Sequence, residues 1–200
     1  GDVTSVDGKM LVEVRLPDDR VEIMLGLLGR HNARNALAAA AAWSVGCTTE
    51  QIRTGLEKMK PVHRRLEQMS TPCGARLIDD TYNANPASVQ AAISVLAARS
   101  GSRMLVLGDM AELGKDARNF HQAAGRHARE AGIEHLLTTG DLARSAAEEF
   151  GSTACHFEEQ EGLIAALREL LAPELTVLVK GSLSSHMENV VDALTQPRAA

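Results

Sequence analysis

Asp79 and Asp80 stand together at the end of the apolar run Leu77-Ile78, and Thr81, Tyr82, Asn83 and Asn85 follow before Pro86 opens an Ala-rich stretch. Two adjacent carboxylates at the end of a buried strand need a cation, a hydroxyl or an oriented dipole nearby to stay ionised. Open α/β sheets bind ligands at such a point, beyond the carboxyl end of a strand and before a helix N-terminus. Further groups have similar potential: Asp109 and Glu112 in Gly108–Gly114, Lys180 and Ser182 in Val179-Lys180-Gly181-Ser182, and His31, Asn32 and Asn35 at the start of an earlier helix. The i, i+3 spacing puts Asn32 and Asn35 on one helix face. Two amides there can hydrogen-bond a purine edge, which offers both donors and acceptors. The same residues also satisfy structural readings. Asn85-Pro86 fits a helix cap followed by proline at the first helical position, and Asn32 and Asp141 are cap candidates. Lys180-Gly181-Ser182 fits a strand end, and Arg64-Arg65 a solvated pair on a linker.

These residues must be positioned by a core with very few rings. The 200 residues are 44% hydrophobic but only 2% aromatic, so Leu, Ile, Val, Ala and Met must fill the interior. The net charge of -5 argues against a nucleic-acid surface, which is normally basic. No apolar run is long enough to span a bilayer, and no basic-then-apolar leader opens the chain. Cys47, Cys73 and Cys155 are too few and too scattered for a disulfide framework or a CxxC metal pattern, so a reducing, cytoplasmic setting is expected. No histidine spacing suits a transition metal, and none is expected.

Residues 1–25 read as β structure. Val12, Val14 and Leu16 alternate with Glu13 and Arg15, Val21–Leu25 is a second short strand, and Asp7-Gly8 and Pro17-Asp18-Asp19 are turns. A helix from Ala33 to Val45 is expected next. Thr48-Thr49-Glu50-Gln51 is a capping box for another helix reaching about Met59, stopped by Pro61. This quarter shows no obvious complete core and reads as the tail of a larger domain. From Arg76 onward, apolar strands at 76–78, 104–107, 135–137, 155–157 and 176–179 alternate with helices at 86–99, 117–131, 142–150, 161–171 and 185–194. Strict alternation with short connections predicts an α/β fold, a doubly wound, mostly parallel sheet with helices on both faces. Loops at the carboxyl ends of parallel strands share one sheet edge, so Asp80, Asp109 and Lys180 should converge. There is no GxxxxGK[ST] and no GxGxxG, so the chain has no phosphate-cradling loop of its own.

Leu28-Gly29-Arg30-His31-Asn32-Ala33-Arg34-Asn35-Ala36-Leu37-Ala38-Ala39 resembles the HNxxNxLAA segment of the Mur ligases. Asp80–Pro86 resembles a DxYNAN motif, Gly108–Gly114 a GDMxELG loop and Val179–Ser182 a closing VKGS, all from the family member that joins D-Ala-D-Ala to UDP-MurNAc-tripeptide. The resemblance runs from about residue 20 to 194. It implies that 1–60 end a central ATPase domain and 61–200 form a C-terminal Rossmann-like domain. It also implies that the phosphate loop, the Mg²⁺ ligands and a carbamylated lysine lie before residue 1, so this chain by itself is expected to be inactive.

The implied activity is ATP-dependent amide ligation through an acyl phosphate in peptidoglycan precursor synthesis, by a cytoplasmic monomer. By resemblance, Asn32 and Asn35 lie near the adenine with His31 beside them, and Arg65 is the linker arginine that reaches the ATP phosphates. Asp80 meets the ribose, while Tyr82, Asn83 and Asn85 line a cleft. Asp109, Glu112, Lys180 and Ser182 lie on the dipeptide side. Two departures stand out: Arg64 precedes Arg65 where the family has glycine, and Leu183 replaces the arginine of KGSR. Two other readings compete. A folylpolyglutamate-type or other Mur ligase shares the architecture without the YNAN and GDMAELG wording. A receiver-like phospho-accepting domain has an acid pair, a lysine after the last strand and an acceptor at the position of Asp141, but leaves His31–Asn35 and Gly108–Gly114 unexplained.

Overall fold

The computed structural model describes residues 3–6, 9–16 and 19–196; the expected turn residues Asp7, Gly8, Pro17 and Asp18 lie outside them. Contacts gather into two compact units, Gly1–Val62 and His63–Ala200.

In the first unit, β1 (Val3–Val6), β2 (Lys9–Arg15) and β3 (Arg20–Leu25) form an antiparallel meander. Alternation puts Met10, Val12, Val14, Val21, Ile23 and Leu25 on one buried face. Two helices cover that face, α1 (Arg30–Ala40) through Ala33, Ala36 and Ala40, and α2 (Thr49–Glu57) through Ile52 and Leu56. The unit therefore has a small core of its own, where the sequence suggested none that was complete. Helix α1 begins three residues earlier than expected, with Gly29 as its cap at φ 91°, and a 3-10 turn over Ala41–Val45 replaces its last stretch. The Thr48–Gln51 capping box forms as read, but α2 ends at Glu57, short of Met59.

The second unit is a six-stranded sheet in the order β4-β5-β9-β6-β7-β8. Its strands are β4 (Glu67–Ser70), β5 (Arg76–Asp80), β6 (Arg103–Leu107), β7 (His135–Thr139), β8 (Ala154–Phe157) and β9 (Thr176–Lys180). The helices are α3 (Pro86–Ala97), α4 (Ala117–Glu130), α5 (Arg144–Phe150), α6 (Gln160–Leu170) and α7 (Glu188–Thr195). The five expected parallel strands are present, and β4 joins antiparallel at the edge of β5. Its sequence, Glu-Gln-Met-Ser, has neither β-branched residues nor a clear apolar alternation, so it carries no local strand signal. In chain order the parallel strands stand 1-5-2-3-4. A receiver domain runs 2-1-3-4-5, so that reading is excluded.

The sheet is buried on both faces, as parallel sheets are. Leu77, Val177, Val179, Met104, Val106 and Leu137 meet Leu163 and Leu167 of α6 and Val190, Val191 and Leu194 of α7. Alternation turns Ile78, Leu178, Leu105, Leu107 and Leu136 to the opposite face, and all five are buried. Two boundaries move. Strand β5 continues through both aspartates instead of stopping before them. Helix α7 starts at Glu188 because His186, in the left-handed region at φ 49°, breaks it from a 3-10 turn over Leu183–Ser185. No described helix is long and apolar enough to cross a membrane.

Candidate active site

At the carboxyl edge of the sheet, Lys180 on β9 lies in register between Asp80 on β5 and Leu107 on β6. The two acids are satisfied differently. Asp79, 2% exposed, accepts from the Thr81 backbone N–H at 3.0 Å and from its hydroxyl at 2.7 Å. Asp80 Oδ2 accepts from Lys180 Nζ at 2.6 Å, and Oδ1 from the Leu66 N–H at 3.2 Å. The cation that the acid pair required is thus Lys180. Its ammonium, in a side chain 1% exposed as a residue, also donates to Asn83 O at 2.9 Å and Asp80 O at 3.4 Å. Three acceptors saturate its three donors. Burial pushes the Asp80 carboxyl up and the Lys180 ammonium down, each opposed by the other's charge.

Lys180, expected on the dipeptide side, thus has all three of its donors engaged within the protein. Ser182, expected on the same side, is likewise engaged within the protein. It is 3% exposed, and its hydroxyl donates to Asp109 O at 2.6 Å. The two motif loops are zipped together by Gly108 N–H to Lys180 O at 2.8 Å and Ser182 N–H to Asp109 O at 2.9 Å. Gly181 leaves room for the side chains packed against this loop, since a Cβ there would meet Ser185 Oγ and lie 2.5 Å from Met187 Cγ.

Asp109 has a structural task that its position in the sequence did not reveal. Its Oδ1 accepts from the N–H groups of Leu142 and Ala143 at 3.1 and 2.7 Å, capping the turn that leads into α5. Asp141, the expected cap, is exposed and outside the helix. Asp109 also borders a cleft of about 530 Å³ lined by Thr139, Asp141, Glu159, Gln160 and His186. The Gly108–Gly114 loop is held from behind by fully buried His121, which accepts from the Met110 N–H at 2.9 Å and contacts Ala117 O through Nδ1 at 2.7 Å. Those partners assign the ring proton to Nδ1. A lone histidine on an apolar helix face was the available signal for this anchor. Glu112 is exposed on the same loop at φ 61°.

Arg64 and Arg65 diverge. Arg64 Nη1 lies 3.6 Å from Glu188 Oε1, whereas exposed Arg65 places its guanidinium 4.3 Å from the centroid of Tyr82, itself 48% exposed. Asn83 and Asn85 are exposed beside them. Asn83 Oδ1 accepts from Ala84 N–H, and Asn85 forms the reciprocal cap with Ser88 ahead of Pro86, as read.

In the first unit, Asn32 is inside the helix instead of capping it, because its N–H already bonds Gly29 O at 2.9 Å. Its amide donates to Leu28 O at 2.8 Å, and Asn35 Nδ2 reaches Asn32 Oδ1 at 3.4 Å. The two share a face, and His31 is exposed next to them.

Residues 64–183 match the family model described as Mur ligase, glutamate ligase domain. This chain belongs to the Mur ligase family. Among curated Mur ligases, the UDP-N-acetylmuramoyl-tripeptide–D-alanyl-D-alanine ligase of Escherichia coli K12 is 42% identical over 186 residues, covering 92% of this chain and 41% of the relative. The same ligase of Bacillus subtilis is 35% identical over 178 residues, covering 85% of this chain and 39% of the relative. A crystal structure of MurF from Acinetobacter baumannii superposes with a TM-score of 0.90 at 31% identity, covering 98% of this chain and 44% of that one. MurF of Thermotoga maritima in complex with ADP shares the fold, with a TM-score of 0.84 at 22% identity over 98% of this chain and 45% of that one. The chain thus spans 41% of the E. coli Mur ligase and a comparable part of the others.

Proposed function

We propose that this chain is the C-terminal part of an ATP-dependent ligase that joins D-Ala-D-Ala to UDP-MurNAc-tripeptide. The observation that carries this reading is the 42% identity to a ligase of that name over 92% of the chain. The edge at the carboxyl ends of β5, β6 and β9 is consistent with it, since it combines an exposed arginine with exposed amide side chains.

The tripeptide carboxylate attacks the γ-phosphorus of ATP and ADP leaves, which makes an acyl phosphate. The D-Ala-D-Ala amine then attacks that carbonyl, and phosphate departs as the amide forms. Charge neutralisation and positioning dominate such transfers. Arg65 supplies positive charge at the phosphates. Asn32 and Asn35, with His31, take the adenine edge. Asp80 meets the ribose through lone pairs that Lys180 and Leu66 leave free. Tyr82 borders the nucleotide, Asn83 and Asn85 line the substrate side of the cleft, and Asp109 and Glu112 face the dipeptide ammonium. Among the described residues no three His, Cys, Asp or Glu side chains gather as a metal site. Mg²⁺, which would lower charge repulsion at the phosphates, would take its ligands from the central domain that the family resemblance implies. The intact ligase is proposed to be cytoplasmic and monomeric.

ADP release by the intact protein, with each substrate omitted in turn, tests the reading. Release that requires both UDP-MurNAc-tripeptide and D-Ala-D-Ala is expected. Turnover with neither, or none under any combination, refutes the assignment.

A further inference from the structure

Arg65 sits between two non-glycine residues in the left-handed region, Arg64 at φ 60° and Leu66 at φ 50°. Such a conformation persists only where the surroundings over-determine it. Two of its anchors come from the end of β5 and the loop after it: the Leu66 N–H bonds Asp80 Oδ1 at 3.2 Å, and the Tyr82 N–H bonds Arg64 O at 3.1 Å. That loop is gripped on both sides of Tyr82 by one ammonium, since Lys180 Nζ bonds Asp80 Oδ2 at 2.6 Å and Asn83 O at 2.9 Å. Tyr82 in turn provides the ring under the Arg65 guanidinium. Lys180, one hundred residues after Asp80, is thus tied by two short contacts to the segment that carries Tyr82.

We infer that Lys180 is a positioning residue, whose buried ammonium holds the Asp80–Asn83 loop and thereby presents Arg65 on the face of Tyr82. This rests on the ligase reading above. Lys180 touches no substrate; it acts through Asp80, Asn83 and the 64–66 turn. Without it, the Asp80 carboxylate loses its counter-charge, the loop loosens and the arginine samples many directions.

The test uses Lys180→Met in the intact protein, alone and combined with Arg65→Ala. Amide hydrogen exchange at Leu66 and Tyr82 is expected to speed up by about tenfold while β6 and β7 keep their protection. The kcat is expected to fall by about 100-fold, the scale of a misplaced reacting group, with KM for D-Ala-D-Ala little changed. In the Arg65→Ala background the same substitution should add less than about threefold, because both changes remove one effect. Losses that multiply, or unchanged exchange at both amides, overturn the inference. If Lys180→Met does not fold, Lys180→Met with Asp80→Asn removes both charges and leaves no unpaired ion. The same exchange at Tyr82 and the same fall in kcat are expected from it, and parental values overturn the inference. If the intact protein releases no ADP under any substrate combination, the ligase reading fails, and the exchange data alone then decide whether Lys180 holds the loop.

Discussion

Arg64 and Arg65 are adjacent in the chain, yet the backbone sends them to different partners. Arg64 turns toward Glu188 on α7, and Arg65 projects over Tyr82 into solvent. The proposed reaction needs positive charge at the phosphates, and of the two arginines Arg65 is the exposed one. Arg65→Ala in the intact ligase should lower kcat by about 10³-fold, as loss of an arginine finger does, with little change in melting temperature. Arg64→Ala should cost roughly 1 kcal/mol of stability, the scale of a partly exposed ion pair, and should affect turnover far less. If Arg64→Ala is as damaging to kcat as Arg65→Ala, the assignment reverses. His156 offers a pH test at the same scale. Its Nδ1 lies 2.9 Å from the buried Thr138 hydroxyl, and burial, then the Arg144 charge, holds its pKa below the usual imidazole value. A depressed folded pKa means that the unfolded chain takes up the proton first. The stabilising contribution is complete above the unfolded pKa of about 6.5 and is lost as pH falls through the folded one. Thermal melts from pH 7.5 to 5 should therefore show a smaller acid-side drop for His156→Gln than for the parent; parallel curves would refute this.

Among the elements, α4 and α5 meet backbone to backbone at Gly125. A Cβ there would lie 2.1 Å from Ala146 O and 2.8 Å from its carbonyl carbon, and backbone cannot move aside as a flexible side chain can. Glycine within a helix normally costs stability relative to alanine, so Gly125→Ala ought to stabilise α4 if propensity decided. Helix contact should win instead, with a loss of about 1–3 kcal/mol, typical of overpacking, measured by urea unfolding. An unchanged or higher midpoint would show that the helices separate easily. Asp109 and Asp141 make the related point for caps. The cap of the α5 turn comes from Asp109 in the loop after β6 and not from the nearby Asp141. Local sequence logic finds Asn85 and Thr48, whose partners lie three residues away, because such caps are built within one segment. It misses Asp109, whose partners are over thirty residues away.

On the scale of the whole molecule, each unit carries its own buried cluster: Met10 to Leu56 in the first, and the two-faced sheet in the second. A core contained within one unit predicts independent folding. Residues 63–200 expressed alone should unfold cooperatively and keep slow exchange at the β6 and β9 amides. Loss of that protection on removing residues 1–62 would show that the second core is not self-sufficient.

The alternation of apolar segments and helices was enough to determine a parallel α/β sheet, since the period of apolar residues and the short connections leave few other arrangements. The order and wording of His31–Asn35, Asp80–Pro86, Gly108–Gly114 and Val179–Ser182 were enough to point to the Mur ligases. Tertiary structure decided which partners those motif residues meet within the chain. The chain reads Lys180 and Ser182 as polar groups at a strand end, equally able to face a ligand or each other. Folding buries both, gives the ammonium to Asp80 and Asn83, and gives the hydroxyl to Asp109 O. The strand order, the edge strand β4 and the separation of Arg64 from Arg65 were likewise decided only there. All of these depend on partners distant in sequence, and propensity and periodicity act over a few neighbouring residues.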